Sequence, residues 1–259
     1  TTSYGTAGVT VRGLEIDINP PIHDNIFRYN TYGVRIELRG TGDVTSTIQN
    51  NTFDHNEYGF YSYVNLNTTP YSQGVSAPTL INNNFTGYNS LSYNDYPIYL
   101  NGTADPIYIN NTFTNHTHPA IAVGGYWGGT HQVTWKKVIG ESGIDFPYVV
   151  VNTLTQDFGN TIHVPAGTII KFISGKTVGL SGIWDLQSTE AQPIVLTSFK
   201  DDTYAGDTNG DGSNSSPAPS DWETVWIFDV HDKITNLNNL VVKYSKAGIA
   251  YYYDRGPSI

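Results

Sequence analysis

The chain of 259 residues contains no cysteine and no methionine. Without cysteine there is no disulfide framework, no thiolate zinc site and no cysteine nucleophile. Without methionine there is no initiator residue, so the sequence reads as a processed form or a segment of a longer protein. Charge is scarce too, at 14% of residues, against roughly 25% in an average globular domain. Its 13 cations face 23 carboxylates, and the net charge of −10 argues against a nucleic-acid partner or an anionic membrane surface. No apolar run approaches the ~20 residues of a membrane-spanning helix. Periodicity gives no helix of useful length either.

What remains is rich in residues of two kinds. Tyr 19, Phe 10, Trp 5 and 30 threonines suit pleated surfaces, while 24 asparagines, Gly 26 and Pro 13 suit turns. The mixture predicts an all-β, turn-rich chain. Low charge and an acidic balance fit an extracellular or cell-surface location.

Self-similarity decides the architecture. Four segments share one pattern: Ile22-His23-Asp24-Asn25-Ile26-Phe27, Ile48-Gln49-Asn50-Asn51-Thr52-Phe53, Leu80-Ile81-Asn82-Asn83-Asn84-Phe85 and Tyr108-Ile109-Asn110-Asn111-Thr112-Phe113. The Phe-to-Phe spacings are 26, 32 and 28 residues. A polar turn and a short β-like run follow each copy, as in Tyr32-Gly33-Val34-Arg35-Ile36 and Tyr58-Gly59-Phe60-Tyr61. Degenerate copies follow at Val133 to Val150 and at Leu237-Asn238-Asn239-Leu240. So short a strand cannot bury its inner face alone, but stacking coil on coil buries it. An asparagine recurring at one corner can bond its neighbours above and below, which pairs polar groups that would otherwise be buried unsatisfied.

This pattern resembles the repeats of right-handed parallel β-helices of the pectin-lyase-like superfamily, over about residues 9–152 and 161–259. The stretch from Val164 to Phe172 and Gln192-Pro193-Ile194-Val195-Leu196-Thr197-Ser198 is similar to segments of large secreted β-helix surface proteins. The resemblance implies a right-handed parallel β-helix (solenoid) of about ten coils. It forms one domain over 1–259, with a long acidic loop at 201–221. The superfamily's galacturonases carry G-H-G and R-x-K elements, and neither occurs here. Absent or undetectable turnover of uronate polymers is therefore expected.

Within the acidic loop, Asp207-Thr208-Asn209-Gly210-Asp211-Gly212-Ser213 matches the opening of a D-x-[DN]-x-[DN]-G calcium loop. Alternate oxygens there suit a hard cation. The twelfth position is Ala218 rather than glutamate, so the nearby acids Asp201, Asp202, Asp221 and Glu223 are candidates to close the site. The expected donors are Asp207, Asn209, Asp211, Ser213, Asp202 and Asp221, holding a structural calcium. His116 and His118, with His55 in a related turn, read as exposed turn histidines. The few cations, Lys171 among them, read as isolated solvated charges, although Arg35 and Arg39 beside Glu37 also suit a carboxylated sugar. Tyr58, Tyr61, Tyr63, Tyr88, Tyr93, Tyr96, Tyr99, Tyr126, Trp127 and Tyr251-Tyr252-Tyr253 exceed what inward packing absorbs. Outward rows of them suit sugar rings or a protein surface, unless the protein's own loops cover them.

These readings converge on a structural or adhesive module with a calcium-stabilised loop. Its partner would be a polysaccharide or a neighbouring surface protein. The rivals are a polysaccharide-active enzyme and a non-catalytic carbohydrate-binding module on the same fold. Asp254-Arg255-Gly256-Pro257 resembles the entry to a new coil, so end-to-end self-association or further repeats are expected.

Overall fold

The computed structural model describes residues 6–64, 74–90, 94–141, 143–229 and 235–253. Strands Tyr32–Leu38 and Tyr58–Val64 show how one coil lays onto the next. Val34, Ile36 and Leu38 point inward and are fully buried, while Arg35 and Glu37 point outward by alternation. Each residue lies in parallel register on its counterpart in the next coil: Val34 on Phe60, Arg35 on Tyr61, Glu37 on Tyr63. Repeating this step carries one path of nine hydrogen-bonded parallel strands from Ala7–Gly13 to Leu240–Val242.

The second and third walls of the early coils are four-stranded sheets of very short strands. One contains Ile22–His23, Thr47–Gln49, Thr79–Ile81 and Ile107–Ile109, and the other contains Ile26–Arg28, Thr52–Asp54, Asn84–Thr86 and Thr112–Thr114. Later coils use a three-stranded wall of Gln132–Thr134, Thr161–Val164 and Ile183–Leu186. The architecture is thus an all-β parallel solenoid, and the described residues contain no helix. It makes about nine turns rather than the ten expected. The acidic loop accounts for the difference, because it spends nearly a coil's length of chain between Ile194–Ser198 and Trp222–Asp229 without adding a strand.

The Asn-Asn-x-Phe repeat splits its work between its members. Its first residue turns the corner: Asp24, Asn50, Asn82 and Asn110 have φ of 59°, 54°, 51° and 51°. Asn and Asp tolerate that left-handed region better than other side chains. The second residue builds a ladder. Asn51 Oδ1 accepts the backbone N–H and side-chain Nδ2 of Asn25, Asn83 does the same for Asn51, and Asn111 for Asn83, all at 2.9–3.1 Å. The remaining Nδ2 hydrogens go to the carbonyls of Ile22, Ile48 and Leu80. Asn51 and Asn83 are buried, and the ladder leaves them no unpaired amide.

The phenylalanines stack beneath it. Ring centroids of Phe27, Phe53, Phe85 and Phe113 lie 5.2, 4.4 and 5.0 Å apart in sequence. Gly33 and Gly59 are required beside them, because a Cβ would come within 2.5 Å of the Phe53 and Phe85 rings. That explains the Tyr-Gly dipeptide in both coils. Beyond residue 120 the fill changes to tryptophan: Trp127, Trp135, Trp184 and Trp222 are all buried in the same continuous core.

Candidate functional site

The outer face of the long sheet carries the densest chemistry. Register places Arg35, Tyr61 and Tyr99 in one outward row and Glu37, Tyr63 and Asn101 in the next. Tyr61, Tyr96 and Tyr99 are buried, against partly buried Tyr32, Tyr58 and Tyr63. Tyr61 meets Tyr99 edge-on at 5.1 Å and Tyr58 lies 5.3 Å from Tyr99. The tyrosines therefore cover one another as a second apolar layer on the solenoid rather than standing as flat exposed rows. Asn101 Nδ2 donates to the Tyr61 hydroxyl and Asn152 Nδ2 to that of Tyr99. Burial, the largest influence, raises the pKa of Tyr58, Tyr61, Tyr96 and Tyr99, which keeps their hydroxyls neutral.

At the edge of this layer Glu37 is enclosed by arginines. Glu37 is 1% exposed. Arg12 Nε donates to Oε2 at 2.9 Å, Arg39 Nε to Oε1 at 2.8 Å, and Arg35 stands 3.8 Å from Oε2. Arg12 reaches Glu37 because the two share a register position on adjacent strands. The Arg35 guanidinium also lies 5.4 Å from the Tyr32 ring and 5.3 Å from that of Tyr63, within cation–π range. Its Nε is buried with no partner among the described residues. Three guanidiniums on one carboxylate leave a local excess of positive charge on a chain of net charge −10. Guanidinium geometry matches carboxylate or sulfate oxygens.

The acidic loop folds back over the same sheet, where it covers Lys171. Strand Ile169–Phe172 turns Ile170 and Phe172 inward and Lys171 outward, yet Lys171 is fully buried, which corrects its reading as a solvated charge. Its Nζ donates to Gly206 O at 2.9 Å and Thr208 Oγ1 at 2.7 Å. Burial pushes its pKa down to about 8, with Asp202, Asp201 and Asp207 opposing.

Within the loop the sequence-predicted donors divide. Asp207, Asn209 and Asp211 share one turn. Asp207 accepts the amides of Asp211 and Gly212, and the Asp211 carboxylate accepts from Asn209 Nδ2 and Ser215 Oγ. Asp202 stands close enough that burial first, then Asp207 and Asp211, raise its carboxyl, and its Oδ1 is buried without a partner among the described residues. Ser213 is exposed. Asp221 is engaged elsewhere, by Ser198 Oγ at 2.7 Å and Lys200 Nζ at 2.9 Å. Among the described residues no three His, Asp or Glu side chains converge as a ready cation cage. Calcium would have to draw Asp202, Asp207 and Asp211 together.

The histidines lie in turns as expected, but His116 and His118 are not exposed. Both are largely enclosed: His118 stacks on Tyr96 at 4.7 Å and its Nδ1 meets Thr208 O at 3.1 Å. His55 pairs with Asp54. Trp127 is inward and buried, Tyr251 and Tyr252 are exposed on the last strand, and Tyr93 and 254–259 lie outside the described residues. Sequence reasoning missed Arg12, Asn101 and Asn152. Aligning the outward positions of successive coils would have found the first two. No protein-family model matches the chain, and no curated protein or solved structure is significantly similar to it.

Proposed function

We propose that the chain is one domain of an extracellular or cell-surface protein, a right-handed parallel β-helix of the pectin-lyase-like kind. In this reading it serves structure and adhesion by holding an acidic polysaccharide on its outer face. The observation that carries the reading is Glu37 enclosed by Arg12, Arg35 and Arg39 at the border of the tyrosine layer. The guanidiniums supply charge and paired donors for uronate or sulfate groups. The adjoining Tyr63 ring and Asn101 amide supply an apolar surface and a polar group for the sugar. Glu37 is already engaged by guanidinium groups, which makes it a poor general base, so binding without turnover is favoured over a lyase.

The test is calorimetric titration with polygalacturonate and alginate fragments at low and high salt. We expect binding that weakens as salt rises, and about tenfold or greater loss in an Arg12→Gln, Arg39→Gln double variant. Absence of binding, or binding that the double variant retains, would remove the reading. Unsaturated product absorbance would replace it with a lyase.

Calcium in the acidic loop belongs to the same proposal. Its support is the unpartnered Asp202 oxygen beside two further carboxylates. Thermal unfolding with calcium and with chelator should differ by a few degrees, and Asp211→Ala should abolish that difference. Identical curves would dismiss the cation.

A further inference from the structure

A cleft of about 260 Å³ lies away from the arginine cluster, walled by three separate stretches of chain. Phe113 and His116 come from one coil, Glu141, Asp145 and Phe146 from the excursion after Trp135, and Ala205 from the acidic loop. His116 is held there by Asp95. Its Nδ1 lies 2.9 Å from Asp95 Oδ1, and Asp95 is itself fully buried. The other Asp95 oxygen accepts the backbone N–H of Tyr88 at 2.7 Å and of Thr117 at 2.8 Å. Burial works to raise the Asp95 carboxyl, but the His116 contact and these amides outweigh it and the net shift is downward. An ionised carboxylate only accepts, so the imidazole proton sits on Nδ1. In the neutral ring Nε2 is then a lone-pair acceptor turned away from Asp95. It is buried and has no partner among the described residues.

The repeat breaks where this pair is built. Tyr29, His55 and Asn115 turn the corner after Phe27, Phe53 and Phe113 with φ of 58°, 53° and 55°. The coil between them has Gly87 there instead. A Cβ on Gly87 would fall 2.4 Å from Asp95 Oδ2 and 2.6 Å from His116 Nδ1. The glycine thus makes room for the pair. Buried polar atoms are almost always paired, and an oriented imidazole with an idle nitrogen beside a cleft calls for a ligand.

The chemistry of that ligand follows from the lining. Glu141 adds a carboxylate with one oxygen engaged, by the Asn115 amide at 2.9 Å. Asp145 adds another, paired with Lys137 at 3.2 Å. The Phe113 and Phe146 side chains give apolar walls. Acceptors at the rim favour hydroxyl donors and repel anions, and aromatic walls suit the C–H face of a sugar ring. We propose that this cleft binds a neutral hexopyranose unit, one hydroxyl donating to His116 Nε2 and a second to Glu141. The site is independent of the arginine face and opposite to it in charge preference.

Nitrogen NMR of the histidine-labelled 259-residue chain reads the site directly. The probes are the methyl glycosides of glucose, galactose and mannose, methyl galacturonoside and zinc chloride. At least one neutral glycoside should shift the His116 Nε2 resonance saturably, with the galacturonoside at least about tenfold weaker. Glu141→Ala, at an exposed position, should weaken the neutral sugar about tenfold, the worth of one hydrogen bond to a charged group. No saturable shift with any neutral glycoside would overturn the proposal. So would a shift produced by zinc alone, equal binding of the galacturonoside, or a response that Glu141→Ala leaves unchanged.

Discussion

The early coils and the late coils solve one problem in two ways. Up to about residue 120, identical positions stack on one another, Asn on Asn and Phe on Phe, so each coil repeats its neighbour's contacts. After that the stack is heterogeneous. Trp135 packs face-on against Tyr148 at 4.5 Å and edge-on against Trp184 at 5.9 Å, and Phe172 stacks on Trp222 at 4.1 Å. The early half satisfies its corners with a side-chain ladder, whereas the late half covers a sheet face with a long loop fixed by Lys171 and His118. Repetition gives periodic local stability.

The largest expected effect breaks the phenylalanine stack at its centre. Phe85→Ala removes a fully buried ring that touches both Phe53 and Phe113, and should cost about 3–5 kcal/mol. In a solenoid, coils interact mainly with nearest neighbours, so the early coils should melt ahead of the late ones. All five tryptophans lie at residue 127 or beyond, so their fluorescence reports the late half alone. Far-UV circular dichroism should therefore show an early transition that tryptophan fluorescence lacks. Coincident transitions shifted equally would show that the two halves form one cooperative unit.

Next in size is the buried cation of the late half. Lys171 has a folded pKa of about 8 against 10.5 when free. Below pH 8 it is charged both folded and unfolded, and the fold bears the full cost of enclosing it. Between pH 8 and 10.5 the unfolded chain binds the proton more tightly, so stability attributable to this group rises with pH. The rise amounts to about 3 kcal/mol across that window. Urea titrations of wild type and Lys171→Met at a series of pH values should diverge there, with wild type gaining relative to the variant. Parallel pH profiles would show that Lys171 does not titrate in this range.

These two residues also show what the sequence made legible. Phe85 stands in a visible repeat, and a period of 26 to 32 residues with Asn-Asn-x-Phe at its corner is enough to infer a stacked solenoid. Lys171 alternates correctly with inward Ile170 and Phe172, but nothing local tells that a loop more than 30 residues later folds back to bury it. The same holds for His116 on Asp95, a pair 21 residues apart in turns that the strand pattern does not align. Periodicity reveals which coil lies on which. It gives neither the register offsets introduced by insertions nor the path of a loop that leaves the coil.

A third test addresses the ladder. Asn83→Ala removes the acceptor for two Asn51 donors and the donor to Ile48 O in a buried corner. Leaving such groups unpaired should cost about 2 kcal/mol, in the range for buried donors without partners. Hydrogen exchange at the Asn51 amide should accelerate most. Unchanged exchange there would mean that another acceptor, such as water, takes over the corner.

The smallest effect separates the two asparagines of one dipeptide. Asn82 precedes Asn83 but has a different task, holding φ at 51° while its own N–H donates to Ile109 O at 2.9 Å. That bond uses only the backbone, so the side chain is dispensable if the conformation is kept. Glycine enters the left-handed region without steric cost but loses more entropy on folding. The two effects oppose each other, and Asn82→Gly should change stability by less than about 1 kcal/mol. Asn82→Val, β-branched in a region that disfavours it, should cost about 1–3 kcal/mol. A neutral Gly beside a costly Val at 82, set against a costly Ala at 83, would assign backbone geometry to the first asparagine and hydrogen bonding to the second. If Asn82→Gly proved as damaging as Asn83→Ala, the first side chain would also be part of the ladder, and the division of labour within the repeat would be wrong.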